Sequence, residues 1–282
     1  MANPAKSGLR FAIVGAGMAG ILAAIKLKER GEQFAVFEKA DRIGGTWREN
    51  RYPGLTCDVP AHAYTYSFAP YPDWSALYAG GPEIQHYFEG VVDQFGIRPA
   101  IRFNAEVTGL DWDEADSTWI VTLASGERQV FDVVIAASGV LHHPRLPEIE
   151  GLDSFEGPVF HTARWDDAAP IAGARVGLIG SGSTGIQIVT AINKQVDKLV
   201  HFQRSPQWVM PVPYFTYSDE ERAAFRANPQ LIDDVRFSDE YMGNIRRFTR
   251  AIMDIDGPEM KQVEDICRDY FEASLPAGEL KE

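Results

Sequence analysis

Cysteine is scarce in this sequence, which has only Cys57 and Cys267 among its 282 residues. The two cysteines lie far apart along the chain and form no CxxC or CxxxxC pair, so neither a disulfide scaffold nor a redox dithiol is predicted. We expect both thiols to be buried. The adjacent residues His142 and His143 have no third ligand at the spacing of a metal site, and the sequence predicts no bound metal.

Basic residues are fewer than acidic ones, and long apolar runs are absent from the sequence. The chain has 27 lysines and arginines against 40 acidic residues, a formal net charge of −13. Nucleic acids and anionic membranes attract proteins with basic faces, so neither kind of partner is expected. No stretch approaches a membrane span in length, and the opening MANPAKSGLR has no apolar core behind a charged start. We therefore expect a soluble, cytoplasmic protein that acts on a small molecule.

The segments that are present follow a repeated order. An apolar run at residues 9–14 leads into a glycine-rich loop at 15–20, a helical pattern that Gly31 ends, and a second apolar run, QFAVFEK. The same order begins again at ARVGLIG, with a loop at 180–185, a helix from Ser183 and the apolar run KLVHFQR. This repeat predicts an α/β protein with two Rossmann-like, dinucleotide-binding domains, each built on a parallel sheet.

The other segments add to these two domains. Apolar spacing predicts a helix at 82–95, and short alternating runs at 101–130 predict a small β-meander inserted in the first domain. The run FDVVIAASG is predicted to return to the first parallel sheet. Beyond Pro213 the spacing and charge predict an acidic helical segment, with no strand to complete the second domain.

Both glycine loops have the spacing Gly-x-Gly-x-x-Gly between an apolar strand and a helix. The first glycine allows a tight turn, the second lets the backbone approach a pyrophosphate, and the third lets the helix pack on the strand. The N–H groups at the start of the helix then face the phosphates. The six glycines are Gly15, Gly17, Gly20, Gly180, Gly182 and Gly185. Two such loops in the correct context predict two dinucleotide sites.

The ends of the second apolar runs distinguish the two ligands. Glu38 supplies a carboxylate that would accept hydrogen bonds from ribose hydroxyls, whereas Arg204 supplies a guanidinium that would pair with a 2′-phosphate. The first site is therefore predicted to take a nucleotide with a free ribose and the second to prefer NADPH to NADH. The alternative for Arg204, beside the polar Gln203 and Ser205, is a solvated charge at the end of a strand.

Two further stretches combine glycines with aromatic residues, and the second of them fits neither a strand nor a helix period. Residues 43–58 read IGGTWRENRYPGLTCD, with glycines that allow close approach to a ligand and aromatic area from Trp47 and Tyr52 that suits a planar ring. An aromatic loop that caps the core is the alternative. Residues 155–167, FEGPVFHTARWDD, lie between the two glycine loops.

These two stretches resemble the signatures of the type I Baeyer–Villiger monooxygenases. The first matches GGxWxxxxYPGxxxD at Gly44, Gly45, Trp47, Tyr52, Pro53, Gly54 and Asp58. The second matches FxGxxxHxxxW followed by an acid, at Phe155, Gly157, His161, Trp165 and Asp166. With the two glycine loops, the resemblance covers roughly residues 1–210.

The resemblance implies an enzyme that reduces FAD with NADPH and inserts one oxygen atom of O2 into a ketone, which gives an ester or lactone. It implies four parts: the N-terminal part of an FAD-binding domain at 1–150, a linker at 151–170, the first half of an NADPH-binding domain at 171–214 and a helical segment at 215–282. The cofactor supplies the difficult chemistry, and the protein binds, orients and excludes water.

The resemblance also assigns residues to the two cofactors. For FAD they are Gly15, Gly17, Gly20, Glu38, Gly45, Thr46, Trp47, Asp58, Tyr64 and Val107. For NADPH they are Gly180, Ser181, Gly182, Ser183, Thr184, Gly185, Gln187, Arg204 and Ser205.

Three residues are implied in catalysis. Asp58 would lie nearest the flavin and pair with an arginine, with a loop cap as its alternative role. His161 and Trp165 would couple domain movement to the catalytic cycle, although His161 could equally be a linker residue that bonds a backbone carbonyl.

The chain departs from the resemblance in length, because members of the family are about twice as long. The arginine partner of Asp58 has no counterpart that the sequence identifies, and Arg246 and Arg247 in the acidic segment are poor substitutes. Three hypotheses follow: the N-terminal part of a Baeyer–Villiger monooxygenase, an NADPH-dependent flavoprotein reductase or N-hydroxylating monooxygenase, or a non-catalytic dinucleotide-binding fragment. Exposed sheet edges predict poor solubility of the chain by itself.

Overall fold

The computed structural model describes residues 8–141, 143–205 and 207–275. The chain divides into two compact units. The first comprises the described residues of Met1–Tyr52 and Gly81–Ala169, and the second those of Pro53–Gly80 and Pro170–Glu282. The prediction that the paired histidines bind no metal includes His142, which lies outside the described residues.

The first unit contains most of the strands. Its helices are α1 Met18–Glu29, α2 Thr46–Glu49 and α3 Gly81–Gln94, and its strands are β1 Arg10–Val14, β2 Gln33–Phe37, β3 Ile101–Arg102, β4 Val107–Asp113, β5 Thr118–Leu123, β6 Arg128–Phe131 and β7 Val133–Ala136. Short 3-10 helices cover Arg98–Ala100, Leu152–Ser154 and Thr162–Arg164.

The sheet at the centre of the first unit has the order β3-β2-β1-β7, and all its neighbours are parallel. The central strand β1 buries Ala12 and Ile13 completely, and α1 buries Ile21 and Ile25. A strand, glycine loop, helix and strand in this order form the start of a Rossmann-like domain. The α/β prediction is confirmed, and so is the return of FDVVIAASG to the sheet, since β7 pairs with β1.

The meander is a separate antiparallel sheet of order β4-β5-β6. Its inner face packs with Phe37 through Val121, Leu123 and Phe131. The predicted start of the meander at residue 101 is wrong. Ile101 and the residue after it pair in parallel with the end of β2, and the meander begins at β4.

The second unit has one small sheet and a set of helices. Its elements are β8 Arg175–Ile179, α4 Ser183–Ile192, β9 Lys198–Phe202, α5 Asp219–Ala227, α6 Gln230–Phe237, α7 Asp239–Met253 and α8 Pro258–Ser274. The strands β8 and β9 pair in parallel, as the sequence repeat predicts. Both cysteines are buried thiols, as expected. Within the described ranges, none of the helices is long and apolar enough to cross a membrane.

Residues 53–80 group with the second unit. The backbone N–H of Leu77 donates to the carbonyl of Phe215 at 3.0 Å, and the N–H of Tyr217 donates to Ser75 at 2.9 Å. These long-range backbone bonds connect residues 53–80 to the segment around residue 216 within the second unit, and the predicted domain boundaries stay a prediction. The stretch at 151–169 lies with the first unit.

Candidate dinucleotide sites and the signature stretches

The first glycine loop, residues 15–20, turns tightly between β1 and α1. Gly15 has a φ of +102°, and its N–H donates to the carbonyl of Phe37 at 2.8 Å. A Cβ on Gly20 would lie 1.9 Å from the carbonyl oxygen of Gly15. The helix can therefore pack this closely on the strand only because Gly20 has no side chain.

The loop faces a second glycine segment. Gly17 is the N-cap of α1, and a Cβ on Gly45 would lie 3.1 Å from its Cα. Gly45 has a φ of +54°, and the first turn of α1 contains no acidic residue. Bare backbone at a helix N-terminus without a competing carboxylate fits a pyrophosphate.

Glu38 lies at the end of β2 beside this loop and is 6% exposed. Its Oε2 accepts from the N–H of Ala16 at 2.7 Å, and its Oε1 accepts from the N–H of Ala40 at 2.8 Å. A carboxylate has about four acceptor sites, so both oxygens can still accept from ribose hydroxyls. The two backbone bonds fix the orientation of the carboxylate.

The remaining residues predicted for FAD are divided between the units. Thr46 and Trp47 begin α2, where Trp47 is buried and Thr46 exposed, and Val107 begins β4 against the core. Asp58 and Tyr64 belong to the second unit. Asp58 is exposed.

The carboxylate of Asp58 accepts no hydrogen bond and forms no ion pair with any residue that the structure describes, so its alternative role as a loop cap has no support. The buried residue before it is Cys57, whose Sγ accepts from the N–H of Val59 at 3.4 Å. Burial raises the pKa of the Cys57 thiol to about 11. A thiol with this pKa is not a reactive nucleophile at neutral pH.

The second glycine loop, residues 180–185, repeats the geometry of the first. Gly180 has a φ of +111°, and a Cβ on Gly185 would lie 2.1 Å from the carbonyl oxygen of Gly180. Gly182 is the N-cap of α4, and a Cβ there would meet nothing within 4 Å. The ring nitrogen Nε2 of His201 is 2.8 Å from the carbonyl of Gly180, a contact that sequence reasoning missed.

The predicted NADPH residues at the end of β9 lie beside this loop. The hydroxyl of Ser181 donates to the carbonyl of Ser205 at 3.3 Å. Arg204 is exposed and makes no hydrogen bond or ion pair with a described residue, so its guanidinium can take an anionic group. Ser183 and Thr184 begin α4. The structure therefore brings the second loop and the strand-end arginine together.

Gln187 on α4 has a structural contact as well as its predicted cofactor role. Its side-chain amide donates to the carbonyl and the hydroxyl of Thr56, at 3.1 and 3.3 Å. Gly54, with a φ of +81°, packs against the same turn of the helix, where a Cβ would lie 2.7 Å from the carbonyl oxygen of Gln187. The second half of the 44–58 signature is thus anchored on the helix that follows the second glycine loop.

Replacing Gly54 by alanine is expected to destabilise the second unit by about 1–3 kcal/mol, because the side chain adds strain at positive φ and overlaps a backbone carbonyl. Urea unfolding measures the loss. The control is Gly243→Ala in α7, where a Cβ meets nothing within 4 Å and alanine favours a helix. Equal stabilities of the two variants would contradict the packing of residue 54 on α4.

The 155–167 stretch has short, irregular structure. His161 is the N-cap of the 3-10 helix, and its Nδ1 accepts from the N–H of Ala163 at 3.1 Å. This bond runs to a backbone N–H, whereas the alternative from the sequence was a bond to a backbone carbonyl. Trp165 is half-buried and packs edge-on against Phe160, with ring centroids 5.2 Å apart.

The family of flavin-binding monooxygenase-like proteins matches residues 8–215. The chain belongs to this family. The chain is 46% identical to a Baeyer–Villiger monooxygenase of Streptomyces coelicolor over 78% of its own length and 43% of the relative's. It is 39% identical to a Baeyer–Villiger monooxygenase of Pseudomonas aeruginosa, over 78% of this chain and 42% of that protein.

Two solved structures match the fold of this chain. A cyclohexanone monooxygenase from Rhodococcus bound to NADP+ matches with a TM-score of 0.73 and 40% identity, over 80% of this chain and 44% of that one. OTEMO in complex with FAD and NADP matches with a TM-score of 0.74 and 34% identity, over 82% and 46%. The resemblance to Baeyer–Villiger monooxygenases is confirmed. The chain spans less than half the length of these relatives.

Proposed function

We propose that the chain provides the FAD site and the NADPH site of a Baeyer–Villiger-type monooxygenase, which inserts one atom of O2 into a ketone to give an ester or lactone. The observation that carries the proposal is the pair of glycine loops with different neighbours. The first loop has a fixed carboxylate, Glu38, at its strand end, and the second has an exposed guanidinium, Arg204. This difference suits a free ribose at one loop and a 2′-phosphate at the other.

In this proposal the chain's own residues bind and orient the two cofactors. Bare backbone at Gly17 and Gly45 receives the FAD pyrophosphate, and Glu38 holds the ribose. When bound, FAD supplies electron transfer from NADPH to O2. Asp58, His161 and Trp165 stay proposed catalytic residues. The FAD residues Thr46, Trp47, Tyr64 and Val107 and the NADPH residues Ser183, Thr184, Gln187 and Ser205 also stay proposals.

The names of the relatives support this choice of reaction. Two of them are called Baeyer–Villiger monooxygenase, and a cyclohexanone monooxygenase has been solved with ε-caprolactone, a lactone. Since the chain covers under half of these proteins, the ketone and the reaction are proposed for the complete enzyme. The cytoplasmic location also stays a prediction.

The proposal is tested by an anaerobic NADPH titration of the purified, FAD-loaded chain, followed by flavin absorbance. Stoichiometric bleaching is expected if both sites work. Conversion of cyclohexanone to its lactone under O2 then separates a monooxygenase from a flavoprotein reductase, which would consume NADPH without lactone. A chain that retains no flavin after loading and desalting would contradict the FAD assignment.

Replacing Arg204 by glutamine is expected to weaken binding of NADP+ about 10- to 100-fold and to leave binding of NAD+ nearly unchanged, because only the 2′-phosphate loses a charge-assisted bond. Isothermal titration with both nucleotides measures the ratio. The control is Arg175→Gln at the start of β8, at the opposite end of that strand from the loop. If R204Q keeps its preference for NADP+, Arg204 is only a solvated strand-end charge.

A further inference from the structure

A short chain of alternating charges joins α2 to the 155–167 stretch within the first unit. Asp41 accepts from Arg48 at 2.6 Å, Arg48 also donates to Glu49 at 3.1 Å, and Glu49 accepts from Arg164 at 3.2 Å. The guanidinium of Arg164 also donates to the carbonyl of Ala163 at 2.8 Å. Neither the glycine loops nor the predicted catalytic residues include Glu49.

The ion pair between Glu49 and Arg164 differs from an ordinary surface ion pair because Glu49 is largely buried. The side chain of Glu49 is 11% exposed, and those of its partners Arg48 and Arg164 are 31% and 46% exposed. The nearby pair of Arg51 with Asp167 also joins the two stretches, but its side chains are 66% and 63% exposed, at 3.4 Å. Exposed pairs contribute little, whereas a largely buried carboxylate depends on its partners. The attachment of the 155–167 stretch therefore depends on Glu49 far more than on Asp167.

Glu49 is also connected to the first glycine loop through backbone hydrogen bonds. The N–H of Glu49 donates to the carbonyl of Gly45 at 2.9 Å, and the N–H of Gly44 donates to the carbonyl of Ala16 at 3.2 Å. Gly45 itself faces Gly17 across the site proposed for a pyrophosphate. A continuous set of contacts thus runs from residues 15–20 through α2 to Arg164.

We infer that Glu49 is a positioning residue that couples the 155–167 stretch to the first glycine loop, so that a dinucleotide bound at the loop also restrains the stretch. The inference rests on the proposed FAD site. A ligand that fixes Gly45 reduces the motion of α2, which contains Glu49. The ion pair between Glu49 and Arg164 then passes this restraint to the 155–167 stretch, which contains Arg164.

Hydrogen–deuterium exchange of the whole chain, with and without FAD, tests this coupling. In the unaltered chain FAD is expected to slow exchange at residues 15–20 and, by about fivefold or more, at 155–167. In Glu49→Gln, which keeps the side-chain shape, FAD is expected to protect residues 15–20 but no longer 155–167. The matched control Asp167→Asn, which removes the exposed pair, is expected to behave like the unaltered chain.

The inference is overturned if FAD protects residues 155–167 in E49Q as strongly as in the unaltered chain. If FAD protects residues 15–20 in no variant, the proposed FAD site is contradicted, and the exchange measured without ligand then tests the role of Glu49 by itself. E49Q is expected to raise that basal exchange at 160–167 at least about threefold over D167N, and equal rates would refute the positioning role.

Discussion

Alanine in place of Gly20 is expected to abolish retention of FAD by the chain. The added Cβ would lie 1.9 Å from the carbonyl oxygen of Gly15, so α1 must move away from β1. Overpacking of this kind costs about 3 kcal/mol. If the strain distorts the phosphate site, this energy corresponds to a loss of roughly 100-fold in the affinity for FAD. The measurement is flavin absorbance of the loaded protein after desalting, together with the midpoint of urea unfolding.

Two variants make the result specific. Gly90→Ala in α3 adds the same atom to the same unit where nothing lies within 4 Å, and it is expected to retain flavin. Gly185→Ala places its Cβ 2.1 Å from the carbonyl of Gly180 in the second loop, and it is expected to lose NADP+ binding while keeping FAD. Stoichiometric flavin in G20A would show that the first loop is not the cofactor site.

The glycine loops were predictable because their physical requirements are local. The order of apolar run, Gly-x-Gly-x-x-Gly and helical pattern fixes a strand, a turn at positive φ and a helix start within about 30 residues. The structure has this arrangement at both places, with Gly15 and Gly180 at positive φ. The positions of Glu38 and Arg204 were predictable for the same reason, since each lies within two residues of the end of the strand that follows its loop. Their roles towards a ribose and a 2′-phosphate stay predictions.

The contacts that sequence reasoning missed are those between segments distant along the chain. Ile101 has the same alternating neighbours as the meander strands, and only its parallel pairing with Val36 places it in the central sheet. The bond from Gln187 to Thr56 and the Glu49–Arg164 pair link residues more than 100 positions apart. Local periodicity carries no information on such partners, so residues 53–80 could not be assigned to the second unit from the sequence.

His62 is another residue that the sequence did not single out. It is 0% exposed, and neither ring nitrogen has a hydrogen-bond partner among the described residues. Its ring packs edge-on against Tyr217 and Phe225, with centroids 5.3 and 4.8 Å away, and its backbone N–H donates to the hydroxyl of Tyr241 at 2.9 Å. Burial, with a smaller contribution from Arg236, lowers the pKa of His62 from 6.5 to about 4.

Acid is therefore expected to destabilise the second unit before its carboxylates are protonated. The pKa of His62 is about 4 in the folded chain and 6.5 in the unfolded chain. Between pH 4 and pH 6.5 the unfolded chain therefore binds more protons at His62 than the folded chain does. The free energy of unfolding consequently falls as the pH falls from 6.5 towards 4, by about 3 kcal/mol in total and about 2 kcal/mol by pH 5. Urea unfolding at pH 7 and pH 5, followed by circular dichroism, measures this loss.

The variant His62→Phe isolates the contribution of this one ring. Phenylalanine keeps the edge-on aromatic contacts and the backbone bond to Tyr241, and it removes two buried nitrogens without partners, so stability at pH 7 is expected to be equal or higher. All other histidines and carboxylates are common to both proteins, and the difference between their pH dependences belongs to residue 62. H62F is expected to lose about 2 kcal/mol less than the unaltered chain between pH 7 and pH 5. Parallel pH dependences would mean that His62 is protonated in the folded chain at pH 5, and hence that water or another acceptor reaches its ring.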